Sequence, residues 1–182
     1  MTTHLMLDIE TLGTKPGAVV LSVAFVRFSD EAHTTLNLSV SDQLAAGLTI
    51  DESTHAWWGA QEAQAPGAWA AVTSNPVPLL AALDHVDAWL AWAANGTDAL
   101  IWCHGASFDA PILEAVYLAA GRVAPWKFWN IRDTRTLYDL AGVDVKAYAC
   151  PPPHIALNDA LGQTRAANAA LAVLSRAHRV AA

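Results

Sequence analysis

Asp8 and Glu10 in LMLDIETLGT, Asp109 in WCHGASFDAPIL, and His154 with Asp159 in HIALNDALGQTRAA are the residues best equipped for chemistry. Each carboxylate sits in a stretch that is otherwise apolar or small, where burying a negative charge is costly unless something compensates it. Several carboxylates converging on one place are most simply compensated by a divalent cation with oxygen ligands. Asp8 and Glu10 are two apart, so on a strand their side chains share a face and form a two-carboxylate claw. Asp109 falls near the start of an expected helix, where the dipole favours an anion. Asp159 falls in the first turn or so of the last expected helix, five residues after His154. Singly, each acid has a plainer reading: Asp109 and Asp159 as helix caps, Asp8 as a strand-end turn residue. As an ordered set, they point to a metal site.

The elements that must position this set read as a mixed α/β domain. HLML before Asp8 is predicted as a short strand, AVVLSVAFVRF (18–28) as a longer buried one, and AHTTLNLSV (32–40) as a third by alternation. Short connections between them suggest an antiparallel meander. Asp51 or Ser53 can cap a helix through HAWWGAQEA. The stretch from Pro66 to Pro78 is punctuated by Gly67, Asn75 and Pro76 and reads as a loop with at most short helical turns. The spacing predicts a helix over 79–94, with Leu80, Leu83, Val86, Trp89 and Leu90 near one face. ALIWC (99–103) reads as a buried strand, 107–121 as a helix, and FWNIR as a short strand. Asp133 can cap a helix ended by Gly142, and the last helix is expected over about 157–178.

The 182 residues are most simply one domain, 1–182, with room for a hydrophobic core. Although 54% of them are apolar, no uninterrupted run reaches the roughly 18 residues of a membrane helix. The N-terminal apolar stretch lacks a preceding basic region and contains Asp8, which argues against a signal peptide. Cys103 and Cys150 are too few for a disulfide framework and have no second cysteine at metal-ligand spacing, so a reducing cytoplasm is expected. A net charge of −7 argues, taken alone, against a nucleic-acid partner. However, eight of the ten basic residues lie from Arg122 onward, the third of the chain that also carries His154 and Asp159.

The order Asp8-Ile9-Glu10, then Asp109, then His154 with Asp159 five residues on resembles the DEDDh branch of the DnaQ-like 3′–5′ exonucleases. The resemblance spans nearly the whole chain. GASFDAPIL, DTRTLYDLAG, HIALNDALGQTR and WWGAQ look most like the small exonucleases of the RNase AS and phage DexA type. One departure is Asn158, which stands where many relatives place another acid. The resemblance implies a ribonuclease H-like fold, a five-stranded mixed sheet flanked by helices. It also implies two Mg²⁺ or Mn²⁺ ions. Asp8 would bridge them, Glu10 and Asp159 would complete one ion's protein ligands, and Asp109 would hold the other. His154 would be the general base, a role suited to an imidazole whose unperturbed pKa lies near neutrality. In such enzymes the segment holding Thr11 and Leu12 approaches the terminal nucleotide.

Trp57 and Trp58 could stack on a base, although adjacent tryptophans on an amphipathic helix more often include a core residue. The expected activity is metal-dependent 3′–5′ hydrolysis of single-stranded RNA or DNA to nucleoside 5′-monophosphates in a bacterial or phage-infected cell. Two other readings compete with it: a non-catalytic nucleic-acid-binding module on the same fold, and a ribonuclease H-like endonuclease. The sugar of the strand stays open, since discrimination rests on contacts to the 2′-hydroxyl. The apolar composition and abundant tryptophan permit a homodimer interface.

Overall fold

The continuous apolar run Leu5-Met6-Leu7, buried on both faces, builds the centre of the sheet. In the computed structural model, which describes residues 2–181, β1 (Thr3–Thr11) lies between β2 (Val20–Arg27) and β4 (Ala99–Cys103). The sheet runs β3-β2-β1-β4-β5, with β3 at His33–Asn37 and β5 at Ile131–Asp133. The first three strands form the expected antiparallel meander, and β4 and β5 add in parallel to β1. The α/β class and the mixed five-stranded sheet are therefore as expected.

Helices cover both faces. Leu5, Leu7 and Ile9 of β1 point into a core shared with α4 (Leu79–Ala94) and α5 (Asp109–Ala119). Met6, with Ala24 and Val26 of β2, points the other way into a core shared with α6 (Thr134–Ala141) and α7 (Ala156–Ala181). Ala156, Ala160, Ala166, Ala167 and Ala170 of α7 are buried against this face, and so small a side chain lets the helix lie close to the sheet. Gly162 does the same for the segment Tyr148–Cys150, because a Cβ there would stand 2.8 Å from the Tyr148 carbonyl oxygen. No helix among the described residues is long and apolar enough to cross a membrane.

Two details depart from the expected elements. The third strand stops at Asn37, and Val40–Ala45 form α1, capped by Ser39 accepting from the Asp42 amide. Alternation alone concealed this turn. Fully buried Gln43 of α1 pairs its side-chain amide with both the N–H and C=O of Val20 at 2.8 Å, doing there what a strand partner would do. In α4 the buried stripe is Leu79, Leu83, Val86 and Leu90, while Leu80 is 58% exposed. The expected face keeps Leu83, Val86 and Leu90 but takes Leu79, four residues before Leu83, in place of Leu80. The loop expected between Pro66 and Pro78 holds one short helix, α3 (Ala68–Thr73). α2 (Glu52–Gln61) is capped by Asp51, as expected.

Candidate active site

β1 outruns its neighbour β4, whose parallel pairing ends with Leu7 opposite Cys103. The two-residue period then places Asp8 and Glu10 on the face of Met6, beneath the start of α7. Beyond the β4 ladder the carboxylate of Asp109, first residue of α5, lies near the backbone N–H of Ile9, which helps to stabilise its charge. Asp159, in the first turn of α7, accepts from the backbone N–H of His154 at 3.0 Å. That bond ties the loop before α7 to the helix. It also holds His154 at a φ of 61°, a left-handed conformation that costs a non-glycine residue roughly 1 kcal/mol.

The ligand atoms of Glu10, His154 and Asp159 lie within 4.8 Å of one another. Asp8 and Asp109 are close enough for their charges to interact strongly with this group and with each other. All five residues assigned from the sequence to metal or proton chemistry are thus together at one end of the sheet. Asp8, Glu10 and Asp109 are buried, and Asp159 and His154 are half-buried.

The electrostatic consequence is large. Burial, then the charges of Asp109, Glu10 and Asp159, push the Asp8 carboxyl well above the usual carboxylate range. Burial and the charges of Asp159 and Asp109 push Glu10 up to about 8. Burial raises Asp109 to about 7 despite the stabilising N–H groups of Ile9 and of Asp109 itself. Asp159 is raised too, again chiefly by burial. Without a cation the cluster must hold protons. Hard oxygen donors at this density suit Mg²⁺ or Mn²⁺ better than a soft, nitrogen- or sulfur-seeking ion.

Gln163 was not anticipated from the sequence. Its Nε2 donates to Asp8 Oδ1 at 2.8 Å from α7, while its own Oε1 is buried without a partner. It sits four residues after Asp159, one helical turn on, and that spacing was the available signal.

A cleft of about 360 Å³ opens beside the acids, lined by Ile9, Glu10, Thr11, Thr14, Ser53, Thr54, Trp57, Trp58 and Phe108. The two tryptophans differ. Trp58 is buried and donates from Nε1 to the Thr11 carbonyl at 2.9 Å, anchoring α2 to β1. Trp57 is 42% exposed and meets the His154 ring edge-on at a centroid distance of 5.0 Å. Thr11 lines the cleft, with its hydroxyl donating to the Gly13 carbonyl. Leu12 turns its side chain into the core and is not among the cleft-lining residues. Phe108 is half-buried and forms part of the cleft wall.

No curated protein matches the chain by sequence. Among solved structures, the nuclease domain of 3′hExo, described as a DEDDh family member bound to rAMP, superposes with a TM-score of 0.58. The match covers 93% of this chain and 92% of that one at 12% identity, a likeness of fold. The sequence model of the 3′–5′ exoribonuclease Rv2179c-like domain matches residues 3–171. With its mixed sheet and its acids gathered at the end of β1, the chain belongs to the 3′–5′ exoribonuclease Rv2179c-like family.

Proposed function

We propose that the protein is a metal-dependent 3′–5′ exonuclease that hydrolyses single-stranded RNA to nucleoside 5′-monophosphates, of the RNase AS and DexA type. The observation that carries this reading is the convergence of Asp8, Glu10, Asp109, Asp159 and His154 beside a cleft sized for a terminal nucleotide. The family description supports the 3′–5′ polarity and favours RNA over DNA.

Asp8, Glu10, Asp109 and Asp159 would hold two Mg²⁺ or Mn²⁺ ions, with Asp8 shared. Bound there, the ions would supply a low-pKa water and neutralise charge developing on the phosphorus and the leaving oxygen. The chain's own residues do the rest. Trp57 and Phe108 flank the space for the terminal base, and the buried indole of Trp58 keeps Thr11 and the β1 end in place. A ring nitrogen of His154 takes the proton of the attacking water. The water oxygen bonds to phosphorus, the bond from phosphorus to the 3′-oxygen of the shortened strand breaks, and that oxygen is reprotonated from solvent. Edge-on contact with Trp57 limits the His154 ring to orientations facing the acids.

Digestion of matched 5′-labelled RNA and DNA oligonucleotides in Mg²⁺ or Mn²⁺ tests polarity, sugar preference and metal dependence together. A one-nucleotide ladder from the 3′ end of RNA, lost in His154→Ala, is the expected result. Binding without shortening would instead favour a non-catalytic module, and cleavage of a circular strand an endonuclease.

A further inference from the structure

One guanidinium stands beside the acidic site without a protein partner. Arg135 lies in the first turn of α6 and is exposed. Among the described residues, Arg27, Arg122, Lys127 and Arg165 are held in ion pairs, and Arg132 and Arg176 donate to backbone carbonyls. Arg135 does neither. Asp133, the N-cap of its helix and two residues away, is already committed. It caps α6 by accepting from the Thr136 N–H at 3.1 Å, and its other oxygen accepts from the Ala106 N–H at 2.8 Å.

Those two bonds pin the start of α6 to the turn between β4 and α5, and they set where Arg135 goes. Its guanidinium lies against Gly105 in that turn, where a Cβ would come within 3.2 Å of Nη1. Gly105 has a φ of 111°, so both its backbone and its missing side chain make room for the arginine. Asp109 follows four residues later, and the Arg135 charge partly offsets the effect of burial on its carboxyl. A planar cation with unused donors, on the rim of a site built for phosphoryl chemistry, is well suited to grip a phosphate.

The layout gives a direction. The cleft holding Trp57 opens off the end of β1 towards α2, whereas Arg135 stands on the β5 side of β4, with the acids of β1 between them. We propose that Arg135 binds the phosphodiester immediately 5′ to the scissile one, making it a specificity-determining residue that favours strands with at least two linkages. This rests on the exonuclease reading of the acidic site. With the terminal nucleotide in the cleft and the scissile phosphate at the acids, the remaining strand leaves across Gly105. Its next anion meets the guanidinium there.

The test pairs a variant with a substrate change. A single-stranded RNA carrying a neutral methylphosphonate at the penultimate linkage is compared with the native strand, using wild type, Arg135→Ala and, as a remote control, Arg176→Ala. Wild type and the control should lose about tenfold or more in kcat/KM on the neutral linkage, the loss of a charge-assisted phosphate contact. Arg135→Ala should lose about as much on the native strand, and at most about twofold further on the modified one. A native-strand rate equal to wild type, or an undiminished methylphosphonate penalty in Arg135→Ala, overturns the proposal.

Binding supplies an arm that does not depend on turnover. In the His154→Ala background, fluorescence anisotropy with Mn²⁺ should show the salt slope of binding reduced by about 0.7 when Arg135 is removed. An unchanged slope counts against Arg135. If wild type binds but never shortens the strand, the exonuclease reading falls and the slope alone decides the phosphate contact.

Discussion

The two halves of β1 lie at nearly the same depth and have opposite physical character. Leu5 and Leu7 are 0% exposed, and Asp8 and Glu10, one and three residues further on, are only 9% and 8% exposed. For the leucines that depth is stabilising, worth about 1.5–3 kcal/mol per side chain. For the acids it is a cost, expressed as carboxyls driven up towards neutral pH. The first half meets α4 and α5 through apolar contact, and the second meets further acids from α5 and α7. A single strand thus carries folding energy at one end and an unmet demand for positive charge at the other.

The largest break in this contrast should come from Asp8→Ala. In the labelled-RNA assay it should lower kcat/KM by about a thousandfold or more, since the acid proposed to serve both ions is removed. The same variant should also lose the rise in melting temperature that Mg²⁺ or Mn²⁺ gives the wild type, because that rise measures cation binding to the folded state. An equal metal-induced shift in both proteins would refute the assignment of Asp8. Leu7→Ala attacks the other half: urea unfolding should show a loss of about 2–5 kcal/mol. Protein that remains folded should still cut RNA.

A gentler probe is Gln163→Leu, which keeps the volume on α7 but removes the donor to Asp8 Oδ1. Titration calorimetry with Mn²⁺ should show binding weakened about tenfold, the usual scale for a group that orients a metal ligand. Affinity equal to wild type would leave Gln163 a packing residue only. The smallest effect concerns pH. Glu10 at about 8 and Asp109 at about 7 stand above the ordinary carboxylate value near 4, so the folded state holds more protons than the unfolded one in between. The contribution of these two groups to the stability of the metal-free protein is therefore fully present below about pH 4 and is lost as pH rises towards about 8. Saturating Mn²⁺ should remove that fall by displacing the protons. A melting temperature that rises over this range without metal would contradict the buried acidic cluster.

Much of this arrangement was legible before any coordinates. Spacing put Asp8 and Glu10 on one face, and the caps Asp51 and Asp133 and the terminator Gly142 marked α2 and α6 correctly. Local backbone chemistry decides those features, so a short window of sequence contains the information. Gln43, Gln163, Leu12 and Leu80 were not legible in the same way. A buried glutamine that completes Val20's hydrogen bonds, or one that reaches Asp8 across 155 residues, has no local signature. Leu12 next to Thr11 looks equally available to a substrate until the β1–β2 turn is built and points it inward. Which of Leu79 and Leu80 joins the buried face of α4 depends on the packing beneath the helix, which periodicity alone could not decide.

By itself, the sequence determined the class of fold and the identity and order of the acids, because period, caps and residue type are local properties. Tertiary structure decided that those acids share one charged volume, that Trp57 faces His154 while Trp58 anchors β1, and that Arg135 remains unpaired over Gly105. Each of these depends on which distant segments come together, and only the closed sheet with its two helical layers fixes those distances.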